Sequence, residues 1–397
     1  MQLLLFDDPE LRMHLAPLSL TRPTGAFRTG LLTHSEKWKA ALGLSHEPGF
    51  KTSPELTPLF PFPQADNYLC IAGHLLPSEA FIAEIEKLTD FGYLTHQNKV
   101  VAAYLPASAM ANFPEYPPSH FPQYEVAQKP QGIFRCWDIF AALDKALPQD
   151  FQVLTAGHVS AALPDHCQLI GPADLLFIEP GANVFGATFN TLQGPIYIGK
   201  YAEVMEGSMI RGPFGLAEHG VLKMGTKVYG PTAIGPHSKM GGELNNVQVF
   251  GFSNKAHDGF LGNAVLGEWC NLGADTNNSN LKNNYAEVKM WNYALNTFES
   301  TGKQFAGLVM GDHSKAGINT MFNTGTVVGV SCNIFGAGFP RNFIPDFTWG
   351  GPQGMTTYEL TTAMVTMEKV LARRNMEVTE PIRTLFAHLA EQAKTKK

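Results

Sequence analysis

The sequence predicts a two-part fold. An α/β domain spans residues 1–165, a left-handed parallel β-helix of hexapeptide repeats spans 166–345, and a helical segment spans 346–397. Three observations lead there: aliphatic residues recur every six positions in the back half, short apolar strands alternate with helical stretches in the front, and two amphipathic stretches follow Pro345.

The repeat is the strongest of these. Ile198, Val204, Ile210, Leu216, Leu222, Val228, Ile234 and Met240 stand six apart. The period returns as Phe260, Leu266 and Leu272, then as Met310, Ala316, Phe322, Val328 and Ile334. Six is neither the helical 3.6 nor the alternating 2. A triangular coil whose sides each spend one short strand and one turn gives that spacing, with the aliphatic side chain inside the prism. Gly follows the aliphatic at Ile198-Gly199, Ile234-Gly235, Leu266-Gly267 and Leu272-Gly273, where it is expected to supply the positive φ of a tight corner. Three hexads make a coil, and stacked coils bury one continuous core. The repeat breaks from Asn278 to about Phe305, a polar, Asn-rich stretch that predicts an arm leaving a coil corner on the functional face. Residues 356–374 and 380–394 read as amphipathic helices, with Leu360, Met364, Met367 and Leu371 on one face of the first, and capping the open end of the β-helix is their expected role.

In the front half, Leu3–Phe6, Tyr68–Ile71 and Lys99–Tyr104 read as buried strands and 79–90 and 137–147 as helices, giving an α/β domain with a parallel-rich sheet. The proline-rich stretch 105–130 reads as an irregular loop or flap. Asp8, Arg22, Arg28 and Lys37 follow the first strand, where basic residues are well placed to clamp phosphates, so these four are the nucleotide-binding candidates. Neither a Walker A motif nor G-x-G-x-x-G is present.

Composition narrows the function classes. Hydrophobic residues make up 44% and charged residues 16% of 397, enough for a large core, and the net charge of -6 offers no basic stripe for nucleic acid or an anionic membrane. The start, Met1 to Asp8, has no basic segment and does not read as a signal peptide, and no apolar run reaches the roughly 20 residues of a membrane span. A cytoplasmic enzyme is expected. Cys70, Cys136, Cys167, Cys270 and Cys332 are scattered without C-x-x-C, which reads as reduced thiols. His219, His237, His257 and His313 lack the close spacing of a zinc pair, and no metal site is expected among the repeats.

Several strings carry a resemblance. They are Leu5–Asp8 and Leu18–Pro23 in the front, then Gly194–Gly199, Met205–Pro213, Ser253–Gly262 and Gly267–Tyr285. Across essentially the whole chain the sequence resembles the GlmU-like family, in which a nucleotidyltransferase-like domain precedes a hexapeptide β-helix and UDP-N-acetylglucosamine is made from glucosamine-1-phosphate. The resemblance implies acetyl-CoA as acyl donor, UTP with Mg²⁺ for any nucleotidyl step, and a homotrimer. It implies that His257 is the general base of N-acetylation, that Asn271 contacts substrate and that the Ala274 amide faces the thioester oxygen. Asn280 matches a family Asn, and Lys282 beside it and Arg211, as a phosphate clamp, complete the substrate-binding candidates. Some family features are missing: Phe260 and Leu281 stand where the family has Tyr, the G-x-G-T-R-M nucleotide loop is absent, and Leu69–His74 carries no carboxylate, with Asp66 the nearest. The alternatives are a nucleotidyltransferase whose β-helix only oligomerises or binds an effector, and a non-catalytic scaffold.

Overall fold

A computed structural model describes residues 2–114 and 119–395. The chain divides into two compact units, one of Met1–Leu15, Ser19–Phe27 and Leu32–Arg135, the other of Ala16–Leu18, Arg28–Leu31 and Cys136–Lys397.

The first unit is α/β. Its strands are β1 (Gln2–Phe6), β2 (Gly49–Lys51), β3 (Asn67–Ala72), β4 (Gly92–His96), β5 (Lys99–Pro106) and β6 (Gln123–Glu125), in sheet order β2-β1-β3-β5-β4-β6. β1 runs parallel to β2 and β3, and β4 to β6, but β5 is antiparallel to both neighbours. The sheet is therefore mixed, not parallel-rich. The reason is local: Gln97 and Asn98 both take positive φ, 50° and 62°, closing β4 and β5 into a tight hairpin. Helix α1 (Pro9–His14) begins where the Asp8 carboxylate accepts from the Glu10 and Leu11 amides, and α2 (His34–Ala41) begins at a Thr33/Glu36 capping box. α3 (Glu79–Ile85) buries Phe81 and Ile85.

The second unit opens with α4 (Cys136–Ala141) and α5 (Leu143–Thr155), which the sequence reading places in the front domain. Trp137, Ile139 and Phe140 are buried, and α4 packs on the β-helix strands Glu243–Gly251 and Phe260–Glu268. Gln248 accepts from the Gly30 amide at 2.7 Å, and Asp150 accepts from Leu31 at 2.7 Å, which ties the 28–31 segment to the same unit.

The β-helix is present, with about ten turns. Its first face runs through Met209–Arg211, Lys227–Val228 and Glu243–Asn245, its second through Phe214–Leu216, Thr232–Ile234 and Val247–Val249, its third through Val221–Leu222, Lys239–Met240 and Asn254–Lys255, each paired in parallel with the next coil. All eight residues of the long frame are buried, at 3% exposure or less. Two expectations need correction. The inward residue of the next segment is Leu261, 1% exposed, and Phe260 points elsewhere, because the inward residues Leu261 and Leu266 stand five apart, as do their partners Leu244 and Val249, where the repeat predicts six. And Gly199, Gly235, Gly267 and Gly273 are not at positive φ. A Cβ there would meet the next coil at 2.8, 2.0, 2.2 and 2.7 Å, so these glycines serve close approach between coils. Positive φ falls later in the corners, on Tyr201, His237, Trp269 and Asp275.

The 278–305 arm contains an antiparallel hairpin, Lys289–Asn292 with Thr297–Ser300. It folds back on the prism, with Trp291 stacked on Phe343 at 4.2 Å. The C-terminal helices do not cap the end. Strand Gly354–Thr357 turns antiparallel onto Thr348–Gly351 and closes that sheet. α6 (Leu360–Ala372) and α7 (Glu380–Thr395) lie along the flank, where the Arg374 guanidinium donates to the His237 carbonyl at 3.0 Å and Phe386 meets His313 edge-on at 5.2 Å. All five cysteines are free thiols.

The prism makes a sharp demand of neighbours in sequence. Ile210 is 1% exposed and Met209 51%. Ile210→Ala should cost about 2–5 kcal/mol and Met209→Ala less than about 0.5, read as shifts of the urea midpoint. Equal shifts would mean the frame is misassigned.

Candidate functional site

The β-helix unit holds two features of interest, one at a corner and one on a face. His257 sits at the corner where the third face turns into the first, between Asn254–Lys255 and Phe260–Glu268, and it is exposed. From inward residue to inward residue this corner runs from Lys255 to Leu261, while the corner one coil back runs only from Met240 to Leu244 through Gly241 and Gly242. The His257 corner therefore projects beyond its neighbour. On the other side lies the Ala274–Asp275 corner, joined to it by the Asp275 amide donating to the Asp258 carbonyl at 3.1 Å. Among the described residues the Ala274 amide has no protein acceptor. His257 and Ala274 are thus brought together on stacked corners.

The remaining residues are more dispersed. Asn271 lies on the third face and accepts from the Asn254 side chain at 2.9 Å. Asn280 donates to Asn263 at 2.8 Å at the far end of the first face, and Lys282 donates to the Glu287 carbonyl at 2.8 Å within the arm. Arg211 is exposed on the first face, three coil steps from Gly262 through the register Ile210, Val228, Leu244, Leu261. At ~4.8 Å per step that is roughly 14 Å.

The face carries a groove of about 620 Å³ that sequence reasoning missed. Lys239, Lys315, Arg373 and Arg374 line it with Asn254, Asn271, Phe252, Trp269, Cys270 and Val370, four cations and no carboxylate. Lys315 donates to the Trp269 and His313 carbonyls at 2.9 and 2.8 Å, and burial lowers it to about 8. Beneath the groove runs a column of rings, Tyr201, His219, His237, Phe252, Trp269 and His313, stacked at 4.4 to 6.0 Å. The 18-residue step from Tyr201 to His219 to His237 was the available signal.

In the α/β unit a cavity of about 350 Å³ opens at the C-terminal edge of β1 and β3, lined by Asp8, His14, His74, His96, Lys99, Lys129, Phe134 and Arg135 among others. Of the four nucleotide-binding candidates only Asp8 lines it. Arg22 and Lys37 are buried at 6% and 8% exposure, and Arg28 belongs to the other unit, where it donates to the Leu31 carbonyl. Within the α/β unit Arg22 on that loop and Lys37 on α2 are turned inward, so neither presents its cation at the surface for a phosphate. The carboxylates do not fit a Mg²⁺ site either: Asp7 is spent on the Thr24 amide and on the Thr24 and Thr52 hydroxyls, Asp66 is exposed just before β3 at the opposite edge, and no cluster of three ligating side chains occurs among the described residues.

Residues 3–159 match the family model of sugar nucleotidyl transferases. The match is to a family of transferases. A curated relative, the bifunctional protein GlmU of Methanocaldococcus jannaschii, is 37% identical over 78 residues, 20% of this chain and 18% of that protein. Among solved structures, the polySia-specific acetyltransferase NeuO aligns over 48% of this chain and 82% of its own at 10% identity and TM-score 0.26. AntD, an N-acyltransferase from Bacillus cereus solved with dTDP-4-amino-4,6-dideoxyglucose and coenzyme A, aligns over 52% and 90% at 11% identity and TM-score 0.23. Overlaps this weak say nothing of substrate or mechanism. Among the described residues no helix is long and apolar enough to cross a membrane.

Burial holds two imidazoles of the α/β unit neutral, His34 near 4 and His74 near 3, and the His74 Nδ1 has no hydrogen-bond partner. Below the ordinary histidine pKa of ~6.5 the unfolded chain binds protons that the folded one refuses, so stability present above ~6.5 drains as pH falls toward 4. Each histidine should contribute at most roughly 1.4 kcal/mol per pH unit. His74→Phe should lessen this slope in urea titrations between pH 6.5 and 5, and an unchanged slope would count against a neutral buried His74.

Proposed function

We propose that the chain is a sugar-phosphate transferase whose β-helix N-acetylates an amino-sugar 1-phosphate from acetyl-CoA at His257, with a nucleotide site in the α/β unit. The observation that carries this is the pairing of an exposed imidazole on a projecting corner with an unengaged amide, Ala274, on the corner beside it. In this reading the neutral amine attacks the thioester carbonyl, a C–N bond forms, and His257 accepts the amine proton. The oxygen that gains charge is met by the Ala274 amide, which needs no reorganisation to donate. The C–S bond then breaks and the thiolate leaves, with the imidazolium as its proton source. The cationic groove beside Asn271 suits the phosphates of coenzyme A, which a cluster of Lys and Arg without carboxylates attracts.

The family match over residues 3–159 supports the nucleotide half, as does a cavity at the carboxyl edge of parallel strands, where open α/β sheets bind such ligands. UTP is its proposed nucleotide. No metal-assisted step is assigned to it. Homotrimer formation belongs to the same reading, and light scattering should give about three times 43.4 kDa.

His257→Ala should lower thiol release from acetyl-CoA with glucosamine-1-phosphate by roughly 10² to 10⁴. Parental rates in that variant would end the assignment. Lys239→Glu with Arg373→Glu should weaken coenzyme A binding at least tenfold while His257→Ala binds it normally, and equal affinity in all three would remove the groove from the donor site. Pyrophosphate release from UTP without any thiol release would favour a nucleotidyltransferase with a structural β-helix.

A further inference from the structure

The geometry points to Lys255 as the positioning residue of His257: a buried ammonium inside the prism that holds the corner on which the imidazole stands. This rests on the reading of His257 as the base. Its origin lies in a column of the third face whose inward residues run Val184, Val204, Leu222, Met240, Lys255, Leu272, Ala316 and Ile334. Seven are apolar. Lys255 is the exception, at 0% exposure, where an uncompensated charge would be prohibitive.

The ammonium is compensated three times over. Nζ donates to the carbonyls of Gly241 at 3.2 Å, His257 at 3.0 Å and Gly259 at 2.7 Å. Two of these acceptors belong to the corner itself and the third to the corner one coil back. Burial lowers Lys255 to about 8, with Asp258 and Asp275 drawing it back up, and the three carbonyls take the three protons of an ammonium.

Comparison with sister corners shows why a cation is there. Four residues after the inward residue three other corners carry a hydroxyl that bonds back into the turn, Ser208 donating to Met205 at 2.8 Å, Thr226 to Lys223 at 2.6 Å and Thr320 to Gly317 at 2.8 Å, while Thr276 of the adjacent corner donates across to Gly317 of the next coil at 3.3 Å. At the same step after Lys255 stands Gly259, with φ of 120°. The sister corners take positive φ one residue earlier, at Gly207, Gly225 and Asn319. So the His257 corner has a different backbone and no hydroxyl clip. No side chain could restore one, since a Cβ on Gly259 would lie 2.3 Å from the Thr276 carbonyl oxygen. Gly242, at φ 76°, is required on the facing side, where a Cβ would fall 2.6 Å from the Gly259 carbonyl oxygen and 3.0 Å from the Lys255 Nζ. The lysine replaces the hydroxyl from inside.

The test uses the full-length protein with acetyl-CoA and glucosamine-1-phosphate as probes. In the parent, amide exchange at Glu243, which donates to Gly259, and at Asp275, which donates to Asp258, should be as slow as at Gly225 of the hydroxyl-clipped corner. Fast exchange there would overturn the proposal whatever the variants do. Lys255→Met places in the slot the residue that Met240 already occupies one coil back. It should speed exchange at Glu243 and Asp275 at least tenfold, leave Gly225 unchanged, and lower kcat roughly 10- to 100-fold with KM for acetyl-CoA within twofold. A loss confined to melting temperature, with parental kcat, would make Lys255 structural only and overturn the proposal. If Lys255→Met does not fold, the parent exchange pattern decides. If His257→Ala keeps parental kcat, the base assignment fails and takes this proposal with it. If His257→Ala is inactive and Lys255→Met is parental, this proposal fails alone.

Discussion

In the β-helix the wall hydrogen bonds run from each coil to the next, never back along the same strand, so a residue is locked beside its equivalents in the coils before and after. From that constraint the rest follows. Side chains of one kind accumulate in columns, aliphatic inside, hydroxyl at one corner and aromatic at another, because each new coil sees what the last one set. Coil spacing leaves no room for a Cβ after many inward residues, which explains Gly199, Gly235 and Gly273 better than backbone conformation does. It also means that a change of corner length cannot be absorbed along the ladder. It is displayed at the surface, and the projecting His257 corner is such a display.

The same constraint decides what could be read from sequence. A fixed ladder turns into a fixed period, so the aliphatic frame from Ile198 to Met240 was legible residue by residue. Legibility ended where the spacing changed: the Gly241–Gly242 corner is two residues short, and Leu261 stands only five residues before Leu266, so Leu261 and not Phe260 is inward. Counting six back from Leu261 reaches Lys255, but without the corrected frame that lysine passes for an ordinary polar residue inside a motif. The α/β unit has no such clock. β4 and β6 are short, and the hairpin between β4 and β5 rests on two positive-φ residues, Gln97 and Asn98, that carry no glycine to announce them. Arg22 and Lys37 looked exposed because charged residues on a loop usually are, and only the fold shows them buried.

The ring column shows how a chemical motif can dissolve into packing. His219, His237 and His313 invite comparison with zinc ligands, yet His219 and His237 stack at 4.6 Å with planes 10° apart, presenting faces to each other, whereas a metal is held by ring lone pairs lying in the plane. Tyr201, His219, His237, Phe252, Trp269 and His313 all take φ between 53° and 61°, a conformation that disfavours side chains. Stacking between successive rings offsets that cost and leaves a stiff spine under the groove of Lys239 and Lys315.

On the proposed reading, the corner of His257 has a geometric logic that a site on a flat face would lack. The cationic groove and Asn271 lie on the third face, Arg211 and Asn280 on the first, and His257 stands where one turns into the other. A donor thioester led along the third face and an acceptor held by its phosphate on the first would meet at that edge from two directions, so neither blocks the other's path. An edge is also the least supported part of a prism, with neighbours above and below but none across. A base placed there gains access and loses rigidity. A cation inside the core restores the rigidity without occupying any of the space the substrates need.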